Sequence, residues 1–139
     1  MKLRYWILVL LYCGTIYYLS GRERLPEIDL GIDFTDKLLH AIAFGIMAGL
    51  VSVGIRRSND SVPPWIQFFA PIGFAVLYGI SDETHQIFVP NRHAGMFDLL
   101  ADAAGAVAVQ IFLCQVVWRI PLKAVVACAC NPVPPDGIQ

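Results

Sequence analysis

Four apolar stretches, each close to the length of a bilayer crossing, recur along this chain with only short polar segments between them. They run near residues 5–20, 37–56, 65–88 and 98–118. A hydrocarbon core about 30 Å thick takes about 20 mostly apolar residues as a helix. A helix satisfies its own backbone there, which an open strand or loop does not. Composition argues against a water-soluble domain: 57% of the 139 residues are hydrophobic and 15% charged, more apolar surface than so small a domain can bury. The chain is therefore predicted to be all-α, an integral membrane four-helix bundle forming one domain over residues 1–122. Residues 123–139 are expected as a flexible tail, because the apolar run within AVVACACNPVPPDGIQ is too short to span. Cys128 and Cys130 in that tail invite lipidation or metal binding as alternatives.

The first stretch also resembles a secretory leader, with Lys2 and Arg4 before an apolar run, but the small residues a cleavage point needs are poorly placed in YYLSG. It is read as a retained span, with Tyr5–Trp6 and Tyr17–Tyr18 as interfacial anchors. If all four stretches cross, six basic residues fall on one side (Lys2, Arg4, Arg56, Arg57, Arg119, Lys123) and four on the other (Arg22, Arg24, Lys37, Arg92). The positive-inside rule then places both termini in the cytoplasm of a multi-pass plasma-membrane protein. A net charge of −1 without a basic stripe gives no reason to expect nucleic acid as a partner; membrane lipids are the expected surroundings.

The main interruption of this apolar pattern is DETHQIFVPNRHAGMFD, residues 82–98. Pro90 disfavours helix at Val89, so the third helix should stop near Phe88. Asp82, Glu83 and Gln86 then occupy its last two turns, and spacings of three and four put Gln86 on the face of both acids. Acids at a helix C-terminus oppose the macrodipole, so local stability is a poor reason for them. Asp98 is expected to cap the fourth helix, with Asp102 one turn deeper and Gly105 a further turn in, where a small residue permits close helix approach. Thr35–Asp36 reads as the start of the second helix, with Lys37 beside it and His40 one turn on. Three helix ends thus bring Asp36, Lys37, His40, Asp82, Glu83, Gln86, Asp98 and Asp102 to one level, with Arg92 in the adjoining loop. His85 and His93 are expected at the interface.

The stretches DKLLHAIAF (36–44) and YGISDETHQIFVPNRHAGMFDLLADAAG (78–105) resemble the VanZ-like family of small bacterial membrane proteins. The run D-E-x-x-Q-x-F-x-P-x-R followed by an acid at the next helix start carries the likeness. The resemblance implies a cell-envelope protein, and the family's founding member is linked to resistance to the glycopeptide teicoplanin. Asp36, Lys37, His40, Asp82, Glu83, Gln86, Pro90, Arg92 and Asp98 match the family pattern. Asp102 stands where many relatives have Asn, and Asn91 where Gly is frequent.

Three readings of the polar residues follow. One is a binding site for a lipid-linked or peptidoglycan-related polar group, an envelope precursor or the glycopeptide itself, at the outer face; ionisable groups at membrane depth are functional candidates by default. A second is a small membrane enzyme acting on a lipid headgroup, with Glu83, Asp82 or His40 as acid–base candidates and Arg92 holding an anion. A third is a purely structural cluster in which the acids pair with Arg92 or Lys37. No serine or cysteine has the setting of an activated nucleophile. His40, Glu83, His85, Asp98 and Asp102 are the residue types of a metal site, but no HExxH or cysteine pair supports one and no cofactor is expected; weak binding of Mg²⁺, Mn²⁺ or Ca²⁺ by such a mixed set stays open. The glycines at 45, 49 and 54 fit helix packing. Transport is disfavoured, since four helices without a broken pair leave little room for alternating access.

Overall fold

The computed structural model describes residues 3–22, 35–59, 61–90, 95–120 and 122–130, apart from the side chain of residue 128. Helices α1 (Leu3–Ser20), α2 (Thr35–Ser58), α3 (Pro64–Gln86) and α4 (Met96–Phe112) follow in order, and α4 continues through a π-helical turn, Leu113–Val117. A further helix, α5, covers Leu122–Cys130. All regular structure among the described residues is helical, and four helices are long and apolar enough to cross a membrane. At 1.5 Å per residue, the 18 residues of α1 reach about 27 Å and the 24 of α2 about 36 Å. The fold is the expected all-α four-helix bundle.

The helices run up and down. At one end Trp6 Nε1 of α1 donates to Ser58 Oγ of α2 at 2.9 Å. Arg56 of α2 donates to Gln67 Oε1 of α3 at 2.8 Å and lies 4.7 Å over the ring of Trp118 beyond α4. Arg57, Arg119 and Lys123 belong to this end as well, which we call the basic end. At the opposite, acidic end Tyr17 of α1 stacks on His85 of α3, with ring centroids 4.5 Å apart. Only 11% of the α1 span is buried, against 39% for α2, so α2 is the central helix and α1 lies at the margin. Large apolar side chains such as Leu10, Leu77 and Phe97 point outward, as suits a hydrocarbon surrounding.

Small residues set how closely the helices approach. A Cβ on Gly105 of α4 would overlap the carbonyl of Ala41 in α2, and one on Gly45 would stand 3.1 Å from the Gly105 carbonyl. The two backbones therefore touch at this crossing, the role that small residues serve in membrane bundles. Around it lies the core of Phe44, Met47, Ala48, Ala75 and Ala106.

Pro71 sits inside α3, where it has no N–H to offer the carbonyl of Gln67. The Ser52 hydroxyl of α2 faces that carbonyl at 3.5 Å, while its closer partner is Gln110 Oε1 at 3.0 Å. Gln110 in turn donates to the Ala48 carbonyl at 3.1 Å. This buried network lies against the carbonyl that proline frees, and polar side chains beside such a break are a common arrangement in membrane helices.

Two expectations need correction. Residues 122–130, most of which were read as unstructured tail, form α5, because Val125 packs into a second core with Phe68 and Cys114. Residues 131–139 lie outside the described residues. The fourth helix starts at Met96 with Gly95 as its N-cap in extended conformation, not at Asp98, and no side chain of its own caps it.

Gly105→Ala should drive α2 and α4 apart and lower stability by about 1–3 kcal/mol, as overpacking does. Gly73→Ala, with open space around it, should leave stability within about 0.5 kcal/mol. Thermal unfolding of the two variants in detergent checks the contrast.

Candidate functional site

The up-and-down arrangement brings the start of α2, the end of α3 and the start of α4 to the acidic end. His40 Nδ1 lies 3.0 Å from Asp102 Oδ1, joining α2 to α4. An ionised carboxylate only accepts, so the proton in this bond sits on Nδ1. Asp102 is fully buried, and its Oδ2 lies over Gly79, where a Cβ would come within 2.8 Å. Glu83 Oε2 accepts the backbone N–H of Gly95 at 2.6 Å, joining α3 to the start of α4. That contact places an acid from the negative end of one helix at the positive end of the next. It also explains why α4 begins earlier than expected, since its cap is supplied by α3. Asp82 stays on its own helix and accepts from Gln86 Nε2 at 2.9 Å. Lys37 Nζ stands 3.6 Å from Asp98 Oδ1, an ion pair longer than a hydrogen bond.

Eight of the nine site residues expected from sequence are thus placed at one end: Asp36, Lys37, His40, Asp82, Glu83, Gln86, Asp98 and Asp102. Arg92, with Asn91 and His93, lies outside the described residues. His85 is directed to α1 through Tyr17 and not into the cluster. Sequence reading missed Gly79 and Gly95. Gly79 gives Asp102 room, and the backbone of Gly95 binds Glu83; the only cue was glycine next to the acids in a helical register.

Among the described residues the cluster holds five carboxylates (Asp36, Asp82, Glu83, Asp98, Asp102) against Lys37 and the imidazole of His40. Several carboxylate oxygens are buried without a hydrogen-bond partner among those residues: Asp82 Oδ1, Glu83 Oε1, Asp98 Oδ1 and Asp102 Oδ2. The remaining buried orphans, Ser20 Oγ and His85 Nδ1, are at the same end. The buried polar groups of the basic end (Ser52, Gln67, Gln110) all have partners. Burying a polar group unpaired is costly, so its concentration at one end needs a reason.

The set able to hold a metal also differs from the one drawn from sequence. Asp36, His40 and Asp98 bring one ligand atom each within 4.8 Å of one another. The acid–base candidates are held apart in separate contacts: Asp82 with Gln86, Glu83 with Gly95, His40 with Asp102. Two shallow, open hollows lie elsewhere. One, of about 520 Å³, is bounded by Gln115, Arg119, Leu122 and Lys123 at the basic end. The other, of about 330 Å³, is an apolar groove between α2 and α4. The arrangement is suited to holding charge or hydrogen-bond donors.

Asp102→Leu removes the acceptor of His40 Nδ1 and should cost about 1–3 kcal/mol, whereas Asp102→Asn keeps an acceptor oxygen and should preserve the fold. Thermal unfolding in detergent separates the two.

The family model described as VanZ/LLP1 matches residues 5–119, a stretch that includes every described member of the cluster. No curated protein and no solved structure matches the chain.

Proposed function

This chain belongs to the VanZ/LLP1 family of membrane proteins, and from that premise we propose that its acidic end holds a lipid-linked or peptidoglycan-related polar group of the bacterial envelope. The observation that carries this is the segregation to that end of buried polar atoms that have no hydrogen-bond partner among the described residues. A bundle needing polar contacts only for cohesion would close them, as this one does around Ser52 and Gln110. The excess of carboxylates favours a ligand that brings hydrogen-bond donors or positive charge, such as the hydroxyl, amide or amine groups of a cell-wall precursor. The larger number of basic residues at the opposite end supports a cytoplasmic position for that end and an outward-facing acidic end. Binding there can reduce the access of a glycopeptide to its target, which connects the site to teicoplanin susceptibility.

Expression of the protein in a susceptible Gram-positive host should reduce teicoplanin susceptibility. Glu83→Gln and Asp82→Asn, which remove charge with little change of shape, should return it to the empty-vector level while the protein remains in the membrane at equal amount. Undiminished protection by both variants would overturn the reading.

A further inference from the structure

We infer that Asp36, His40 and Asp98 form a site for one divalent transition-metal cation, of the Mn²⁺ or Zn²⁺ type, at the acidic end. The inference deepens the binding reading above, on which it rests, by naming what answers the surplus negative charge. A mixed imidazole–carboxylate set suits such cations better than an all-oxygen set would.

The first support is position. The three ligand atoms lie within 4.8 Å of one another. Metal–ligand bonds of about 2.0–2.2 Å require only a modest contraction from that spacing. Asp36 is exposed in the first turn of α2.

The second support is the residue that stands behind His40. Asp102, fully buried, holds His40 through Nδ1 at 3.0 Å. This fixes the ring and leaves Nε2 to offer its lone pair, the carboxylate–histidine arrangement found behind metal-ligating imidazoles. Asp102 keeps its other oxygen without a hydrogen-bond partner among the described residues.

The third support is the carboxylate that flanks the site. Glu83 is nine-tenths buried, its Oε1 has no hydrogen-bond partner among the described residues, and its other oxygen accepts the N–H of Gly95. Asp98 Oδ2 lies where a Cβ of Gly95 would be, so the two carboxylates meet at this residue. Positive charge is therefore favoured beside His40, where Asp98 and Asp102 lie. Lys37 supplies some, but its ammonium stands 3.6 Å from Asp98 and is partly exposed, so it can swing away. Three protein ligands also leave coordination positions through which an envelope group can bind.

The test is Mn²⁺ titration of the full-length protein in detergent after chelator treatment, read by loss of the free-ion paramagnetic resonance signal. Mn²⁺ is the probe because the cysteine thiols compete for Zn²⁺. One Mn²⁺ per chain should bind saturably. Asp36→Asn, at an exposed position, and His40→Gln should abolish that binding. Asp102→Asn, a positioning change, should weaken it by about 10–100-fold without altering thermal unfolding. Lys37→Met should tighten it, since a competing cation is removed; a merely structural cluster gives no such gain. Absence of saturable Mn²⁺ uptake by folded wild-type protein, or equal uptake by Asp36→Asn and His40→Gln, overturns the cation site. The binding reading is judged separately, by teicoplanin susceptibility in the Glu83 and Asp82 variants.

Discussion

The backbone contact between α2 and α4 governs the geometry of this molecule. Gly105 has no side chain, so α4 rests directly against the Ala41 carbonyl, and Gly45 allows the same closeness one turn on. Van der Waals packing of this kind replaces the hydrophobic driving force that is missing between helices in lipid. It also places chemistry. His40 immediately precedes Ala41, and Asp102 lies one turn before Gly105. The contact that joins the helices therefore delivers the imidazole to the carboxylate at 3.0 Å. A looser crossing would leave both groups buried without each other.

The acids at the end of α3 make sense only in three dimensions. Within their own helix they sit at the wrong pole of the dipole. Across the bundle, Glu83 lies against the N-terminus of α4 and accepts the Gly95 N–H. Some of the negative charge is thereby used in building the fold through this backbone contact. That contact does not account for Glu83 Oε1, Asp82 Oδ1 or Asp102 Oδ2, which are buried without hydrogen-bond partners among the described residues.

The two ends of the bundle show the difference between a closed and an open polar network. At the basic end Pro71 frees a carbonyl, Ser52 faces it, and Gln110 links Ser52 to the backbone of α2. Arg56 is shared between Gln67 and the face of Trp118. At the acidic end several carboxylate oxygens have no hydrogen-bond partner among the described residues. Since burial of charge in an apolar setting is tolerated only with a partner, the imbalance marks that end as the place where something from outside the described residues is met.

The sequence by itself determined the four spans, the all-α bundle and most of the residues gathered at the acidic end. Hydropathy and helical spacing are local properties, and the run from Asp82 to Asp98 interrupts the apolar pattern sharply. Only the tertiary structure decided which acid meets which partner. That α3 caps α4 through Glu83, that Gly79 makes room for Asp102, and that Ser52 pairs with Gln110 beside the break at Pro71 all depend on residues far apart in the chain. Helix α5 was hidden for a similar reason: its apolar run is too short to register as a span, and Val125 holds it by packing against Phe68 and Cys114. Spacing along a chain shows which residues can share a helix face, whereas the close approach of backbones, here at Gly105, decides which faces meet.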